Sequence, residues 1–483
     1  MSVLTGTDVR GLTATDLGRV HFIGIGGVGM SGIARILLAQ GVPVSGSDAR
    51  EWPALDALRA LGATIAVGHD AGNVTTADTV VFSSAIKPGN PELDEARRRG
   101  LRLLHRSEAL VALMGGHRVL AVSGTNGKTT TTSMLTTVLQ ACGEDPSFAI
   151  GGELSEAGSN AHHGTGEYFV AEADESDKSF LLYRPHVAIV TNVEADHLET
   201  YGTLAAIEEA FAEFAEHVEP GGFLVCCADD PGAARLAGRA RAAGVTVHTY
   251  GESEGADLRL AGLSSGAVGA SYRAVLDGVD LGPVTLPVPG RHIALNSAAA
   301  LLTAARLGLP TGVATAALGA YGGVRRRFEL KGTAAGIRVY DDYAYHPTSM
   351  SAQLTTVREV AAPGRVVVVF QPYRFSRTTV FQDGIAAALG LADEVIVMEV
   401  YGPGEERAPG EGGVALTAAV PLAAERKVFV PSWSEVAAEV VKRARTGDVV
   451  VTMGAPPIAM LGEEVLVALD EAASRAAGPE PAR

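Results

Sequence analysis

The run Ser123-Gly124-Thr125-Asn126-Gly127-Lys128-Thr129-Thr130 has residue types and spacing suited to handling phosphate. Backbone N–H groups of such a loop can cradle phosphate oxygens, Lys128 can reach the β and γ positions, and the Thr129 hydroxyl can bind Mg²⁺. The general pattern G-x-x-x-x-G-K-T is met only in its second half, because Val122 stands five positions before Gly127. A structural turn is the plain alternative, but G-x-x-G-K-T-T after an apolar run and before a helical one favours a nucleoside triphosphate. Such a loop needs acids. Glu172, Asp174, Glu175 and Asp177 supply four carboxylates within six residues, a density that is repulsive unless a cation or substrate is near; a solvated acidic loop is the other reading. Thr191-Asn192-Val193-Glu194-Ala195-Asp196-His197 adds a histidine among acids, which we read as a second metal ligand.

A second glycine turn, Gly24-Ile25-Gly26-Gly27-Val28-Gly29, satisfies G-x-G-x-x-G directly after a short apolar run. Glycines let a diphosphate approach the backbone, and the free N–H groups at the following helix start favour an anion. Asp48 stands where a nicotinamide enzyme would hold a ribose, yet the turn alone does not separate NAD from a nucleotide sugar, and close strand–helix packing would also use glycines.

Near the C-terminal end, Tyr340-Asp341-Asp342-Tyr343-Ala344-Tyr345-His346-Pro347 and Gln371-Pro372-Tyr373-Arg374-Phe375-Ser376-Arg377 each follow an apolar run. Arg374 and Arg377 could fork onto a carboxylate or phosphate, or form surface ion pairs. Arg325-Arg326-Arg327 reads as a hinge cluster answering nucleotide charge or as a solvated basic run.

These segments need elements to hold them. Val20–Ile25, Val42–Asp48, Thr64–Val67 and Thr79–Ser84 predict strands, with helices at Met30–Gln40 and Pro53–Leu61. Strands are again predicted at Val119–Ser123, Phe169–Glu172 and Val187–Thr191, then at Ile337–Tyr340, Val366–Phe370, Glu394–Val400 and Val449–Thr452. Strands alternating with helices predict an α/β fold with parallel sheets. Seams near Gly115-Gly116-His117 and Gly322-Gly323-Val324-Arg325 divide the chain into 1–117, 118–325 and 326–483, and the tail from Ala472 is expected to fray.

The chain has 483 residues, of which 47% are hydrophobic and 58 are glycine, enough for about three domains and too apolar for disorder. A net charge of −16 disfavours nucleic acid and anionic membrane as partners. Cys142, Cys226 and Cys227 are odd in number and lack metal-ligand spacing, so neither a disulfide framework nor a zinc site is expected, and a reducing cytoplasm fits. No apolar run has the length of a membrane span and no secretory leader is evident.

In this order, GIGGVGMSGIA, GSD, SSAI, HRSE, GTNGKTTT, EADESD, TNVEADHLETY, GRHIALNSAAALLTA, GVRRRFE, YDDYAYHPT, QPYRFSRT and VYGPGE resemble the Mur ligases of peptidoglycan synthesis, over essentially the whole chain. The resemblance implies a Rossmann-like N-terminal domain for a UDP-sugar, a central P-loop ATPase domain and a Rossmann-like C-terminal domain for an amino acid. It implies UDP-sugar contacts at Gly24, Gly26, Gly27, Gly29, Asp48, Ser84, His105 and Arg106. ATP would lie on Gly124, Thr125, Asn126, Gly127, Lys128, Thr129, Thr130 and Asn296, with Arg327 and Asp342 facing it, and Mg²⁺ on Thr129, Glu172 and His197. Lys128, Glu172 and His197 would carry the chemistry, and Tyr343, Tyr345, His346, Arg374 and Arg377 would hold the amino acid.

The implied reaction uses ATP to join L-alanine to the lactyl carboxylate of UDP-N-acetylmuramate through an acyl phosphate, in the cytoplasm, by a monomer or homodimer without nucleic acid or membrane insertion. A relative with another acceptor amino acid and a non-catalytic UDP-sugar-binding regulator are the alternatives. An NAD-dependent dehydrogenase would leave GTNGKTTT and the acid cluster without a role. Three positions depart from the family pattern: Tyr345 where a histidine is expected, Met453–Ile458 in place of a GAGD run, and Lys178 at a usually small position.

Overall fold

The computed structural model describes residues 9, 11–152, 160–405, 407 and 411–477. Three sheets hold the named strands of these residues. In the first, β1 (Val20–Ile23), β2 (Val44–Asp48), β3 (Thr64–Val67), β4 (Thr79–Phe82) and β5 (Arg102–His105) run in the order β3-β2-β1-β4-β5, every pair parallel. Strand order reverses at β1, so the crevice beyond the carboxyl ends of β1 and β4 is where such a sheet receives a ligand.

The second sheet comprises β6 (Arg118–Ser123), β7 (Ser147–Ala149), β8 (Ala161–His162), β9 (Tyr168–Glu172), β10 (Val187–Val190), β11 (Phe223–Cys227), β12 (Val247–Gly251), β13 (Leu258–Gly266), β14 (Gly269–Leu276) and β15 (Val279–Leu286). Its order is β15-β14-β13-β12-β11-β10-β6-β9-β7-β8. β6 therefore lies between β9 and β10, parallel to both. That places the turn after β6 beside the acids leaving β9 and the Thr191–His197 segment leaving β10.

The third sheet contains β16 (Glu329–Ala334), β17 (Ile337–Asp342), β18 (Val366–Gln371), β19 (Glu394–Val397), β20 (Lys427–Phe429) and β21 (Val449–Gly454), ordered β16-β17-β21-β18-β19-β20. Of its five strand pairs among the described residues, only β16–β17 is antiparallel. Val366, Val368 and Phe370 of β18 enter one apolar cluster while Val367 and Val369 enter the cluster on the opposite face. A strand covered on both sides favours an unbroken β-branched run, which explains Val366-Val367-Val368-Val369.

Two compact units divide the chain: Met1–Gly262 with Tyr272–Thr285 and Leu295–Tyr321, and Leu263–Ser271 with Leu286–Ala294 and Gly322–Arg483. The first holds both glycine turns. The predicted strands fall within one to three residues of those observed, a scatter usual for element ends. The tail is a correction: the helix Leu461–Ala477 continues past Ala472, and residues 478–483 lie outside the described residues. No helix among the described residues is long and apolar enough to cross a membrane.

Candidate active site

The glycine turn after β1 is tied down by Asp48. Gly24 takes φ +79°, and the Gly26 N–H donates to Asp48 Oδ2 at 2.9 Å while the Trp52 indole donates to Oδ1 at 3.0 Å. A Cβ on Gly26 would lie 2.9 Å from the same Asp48 oxygen. The carboxylate thus shapes the turn, a use the sequence reading of Asp48 as a ribose ligand did not include. The helix Val28–Ala39 starts immediately after, directing its first N–H groups toward the crevice.

Ser84 and His105, from the carboxyl ends of β4 and β5, meet there: Ser84 Oγ lies 3.1 Å from His105 Nε2, and His105 Nδ1 lies 2.7 Å from Ser107 Oγ. Burial drives the His105 imidazole down to about 4, so it is a neutral hydrogen-bonding group at physiological pH. Arg106 reaches further. Its guanidinium stands 3.2 Å from the point a Gly29 Cβ would occupy and 3.7 Å from Asp174 Oδ2.

The turn after β6 is clamped by the neighbouring strand end. Asn192 accepts from the Asn126 N–H through Oδ1 at 2.8 Å, Thr191 Oγ1 donates to the Asn126 carbonyl at 2.6 Å, and the Glu194 N–H donates to Thr125 Oγ1 at 2.9 Å. Gly127 at φ +86° caps the helix Lys128–Ala141, and a Cβ there would meet Asn296 Oδ1 at 2.7 Å. Asn296, 169 residues away in sequence, therefore does adjoin the loop. Thr130 is buried behind it on the first helical turn.

Thr129 Oγ1 donates to Glu172 Oε1 at 3.1 Å, and Glu172 Oε2 accepts from the Gly151 N–H at 2.8 Å. These are hard oxygen donors at adjacent strand ends, as Mg²⁺ requires. His197, at φ +50°, faces other acids: Nε2 is 3.7 Å from Asp196 and 4.0 Å from Glu175, and Nδ1 is 3.5 Å from Glu199. Among the described residues, no cluster of three or more His, Cys, Asp or Glu side chains is arranged to hold a metal, so a cation here would rest on the Thr129–Glu172 pair first.

Lys128 Nζ donates to the Gly124 carbonyl at 2.6 Å and pairs with Glu175 at 2.8 Å. Burial would lower the ammonium, but Glu175, Asp174 and Glu172 outweigh it and hold Lys128 above the usual lysine range. Glu175 is raised as well, which in an acid disfavours the charged form. Burial lifts it to about 7, opposed by Lys128 and assisted by Asp174. The imbalance has a simple cause: one cation serves several carboxylates, so the lysine gains from all of them while each acid shares it. Sequence reasoning counted Glu175 only as one acid of four. Lys178, at φ +66°, lies 5.0 Å over the Tyr201 ring, whose hydroxyl donates to the Glu175 carbonyl at 2.6 Å.

In the second unit, the loop after β17 and the loop after β18 bring the predicted amino-acid residues together. The Tyr343 and Tyr345 rings are 5.7 Å apart, and Tyr345 and Tyr373 are 6.0 Å apart. The Arg377 guanidinium lies 4.7 Å over Tyr345, Arg374 lies 5.6 Å over Tyr373, and Arg327 lies 4.9 Å over Tyr343. His346 is buried edge-on to Phe381. Asp342 accepts from the N–H groups of Phe328 and Ala344, each at 2.8 Å, and burial raises its carboxyl to about 6 against the pull of Arg327.

Three family models match consecutive stretches: the Mur ligase family catalytic domain at 19–118, the Mur ligase middle domain at 122–304 and the Mur ligase glutamate ligase domain at 326–456. The UDP-N-acetylmuramate–L-alanine ligase of Salinispora arenicola is 62% identical over 97% of this chain and 91% of its own. That of Acidothermus cellulolyticus is 55% identical over 94% and 95%. The crystal structure of the Thermotoga maritima UDP-N-acetylmuramate–alanine ligase superposes with a TM-score of 0.78 at 29% identity, covering 94% of this chain and 99% of that one.

Proposed function

Because the chain belongs to the Mur ligase family, we propose that it joins L-alanine to the lactyl carboxylate of UDP-N-acetylmuramate at the expense of ATP, a step of peptidoglycan precursor synthesis in the cytoplasm. The γ-phosphoryl group passes to the lactyl carboxylate, giving an acyl phosphate and ADP. The uncharged amine of L-alanine then attacks the acyl carbon, and inorganic phosphate leaves from the tetrahedral intermediate as the amide forms.

Such a transfer asks the protein for positioning and charge neutralisation rather than a nucleophile. We assign phosphate binding to the backbone of Gly124 to Thr130, with Lys128 moving between Glu175 and the transferred phosphoryl oxygens. Thr129, Glu172 and His197 would hold Mg²⁺, which when bound neutralises phosphate charge. The UDP-sugar is assigned to the turn after β1 with Ser84, His105 and Arg106, in the domain 1–117. The domains 118–325 and 326–483 would take ATP and amino acid. The assignments of Arg327 and Asp342 to the nucleotide, and of Tyr343, Tyr345, His346, Arg374 and Arg377 to the amino acid, rest on the resemblance.

The observation that carries this reading is the Thr129–Glu172 contact at the mouth of a lysine-bearing phosphate turn. Phosphate release from ATP that requires both UDP-N-acetylmuramate and L-alanine is the expected result across a panel of amino acids. Turnover with another amino acid but not with alanine would replace the acceptor, and no turnover with any would leave a UDP-sugar-binding regulator.

A further inference from the structure

Glu92 is completely buried near the start of the helix Pro91–Arg98 and receives four donors. His21 Nε2 at 3.4 Å and Ser47 Oγ at 2.6 Å approach one oxygen; Asn73 Nδ2 at 2.6 Å and the Asp70 N–H at 3.2 Å approach the other. Burial would raise this carboxyl, but the hydrogen bonds from His21, Ser47 and Asn73 outweigh it and hold it at about 2. Glu92 is therefore a carboxylate and can only accept.

Ser47 has one hydroxyl hydrogen and gives it to Glu92, so its oxygen must accept from the neighbouring His69 Nδ1 at 2.9 Å. His69 consequently carries its proton on Nδ1, leaving Nε2 as a lone pair in the neutral ring. The His69 side chain is 23% exposed, and its Nε2 has no partner among the described residues. It follows β3 directly after Gly68, whose N–H donates to the Asp48 carbonyl at 2.8 Å. His69 thus stands on the sheet edge that bears the glycine turn, one strand outward from Asp48, where a nucleotide whose diphosphate lies on that turn would extend its base.

Resting on the reading of this domain as the UDP-sugar site, we infer that His69 Nε2 accepts the imide N3–H of the uracil, and that Glu92, acting through Ser47, is the positioning residue that keeps His69 an acceptor. Uracil carries a hydrogen at N3 and cytosine does not, so the relay selects a uridine nucleotide.

Calorimetric titration of the full-length protein at pH 8, where an ordinary imidazole is neutral, with UDP, N3-methyl-UDP, CDP and 2′-deoxy-UDP tests this. The wild type should bind UDP about tenfold or more tightly than N3-methyl-UDP and CDP, and His69→Phe should bring both ratios near one. Ser47→Ala, and Glu92→Gln if it folds, should move the His69 proton to Nε2 in ¹⁵N spectra and shrink the same ratios. Wild-type ratios in His69→Phe, an effect confined to 2′-deoxy-UDP, or a retained Nδ1–H in Ser47→Ala would overturn the inference. A wild type that does not bind UDP would instead remove the UDP-sugar reading.

Discussion

Lys128 Nζ and the Glu175 carboxylate lie 2.8 Å apart, the acid buried and the lysine partly so, with the Gly124 carbonyl completing the ammonium's surroundings at 2.6 Å. Lys128 is thus part of an internal ion pair as well as the residue assigned to the transferred group. Stability and catalysis should separate there. Lys128→Ala should lower turnover by about a thousandfold or more, and it should also destabilise the first unit by about 3 kcal/mol because Glu175 is left buried without its cation. Adding Glu175→Gln should restore the thermal unfolding midpoint but not phosphate release. Restored turnover in the double variant would refute the assignment of Lys128 to the phosphates.

Gly127 is confined by conformation and by space, with φ +86° and Asn296 Oδ1 2.7 Å from any added Cβ. Gly127→Ala should weaken ATP binding by at least about tenfold, since a strained turn and a displaced Asn296 together amount to more than about 1 kcal/mol. Gly127→Ala/Asn296→Ala removes the collision but not the backbone strain, so only partial recovery is expected. Titration with a non-hydrolysable ATP analogue measures both.

Two buried glutamates give pH dependences of opposite sign. Glu92 is held at about 2, below its ordinary value of 4.5, so its contribution to stability is present above about pH 4.5 and lost as pH falls towards 2. Glu175 is lifted to about 7, so its contribution is present below about pH 4.5 and lost as pH rises through 7. Urea midpoints over a pH series should therefore lose the acid limb in Glu92→Gln, by an amount of order 3 kcal/mol, and lose the decline between pH 4.5 and 7 in Glu175→Gln. Curves parallel to the wild type in either variant would contradict the corresponding shift.

The Tyr345 ring carries the Arg377 guanidinium at 4.7 Å. If these two hold the acceptor amino acid, Tyr345→Ala should raise the KM for L-alanine about three- to thirtyfold, the range of a cation–π contact, while the KM values for ATP and the UDP-sugar stay within twofold. Tyr345→Phe should behave as wild type. An unchanged alanine KM in Tyr345→Ala would remove the ring from the amino-acid site.

The turns and strands could be read from residues 20–48 and 119–130 because short apolar runs ending in glycines carry their conformational reason locally. What escaped was long-range. Asn192 was visible in TNVEADH, but its clamp on Asn126 depends on β10 lying beside β6. Glu92 sits in Pro-Glu-Leu-Asp-Glu-Ala-Arg-Arg, a stretch that looks like a solvated helix face, and its partners come from β1, β2 and the segment after β3. The strands β13 to β15 carried no chemistry-bearing motif and went unread.

Arg106 makes neighbours of the two glycine turns in electrical terms. Its guanidinium adjoins Gly29 on the first turn and Asp174 in the acid cluster behind the second. A dianion settling on the first turn competes with Asp174 for that one positive charge, and a cation arriving near Asp174 returns it. By reciprocity, each charged ligand then favours the other through a single side chain, and the coupling should fade as added salt screens the partly exposed pair.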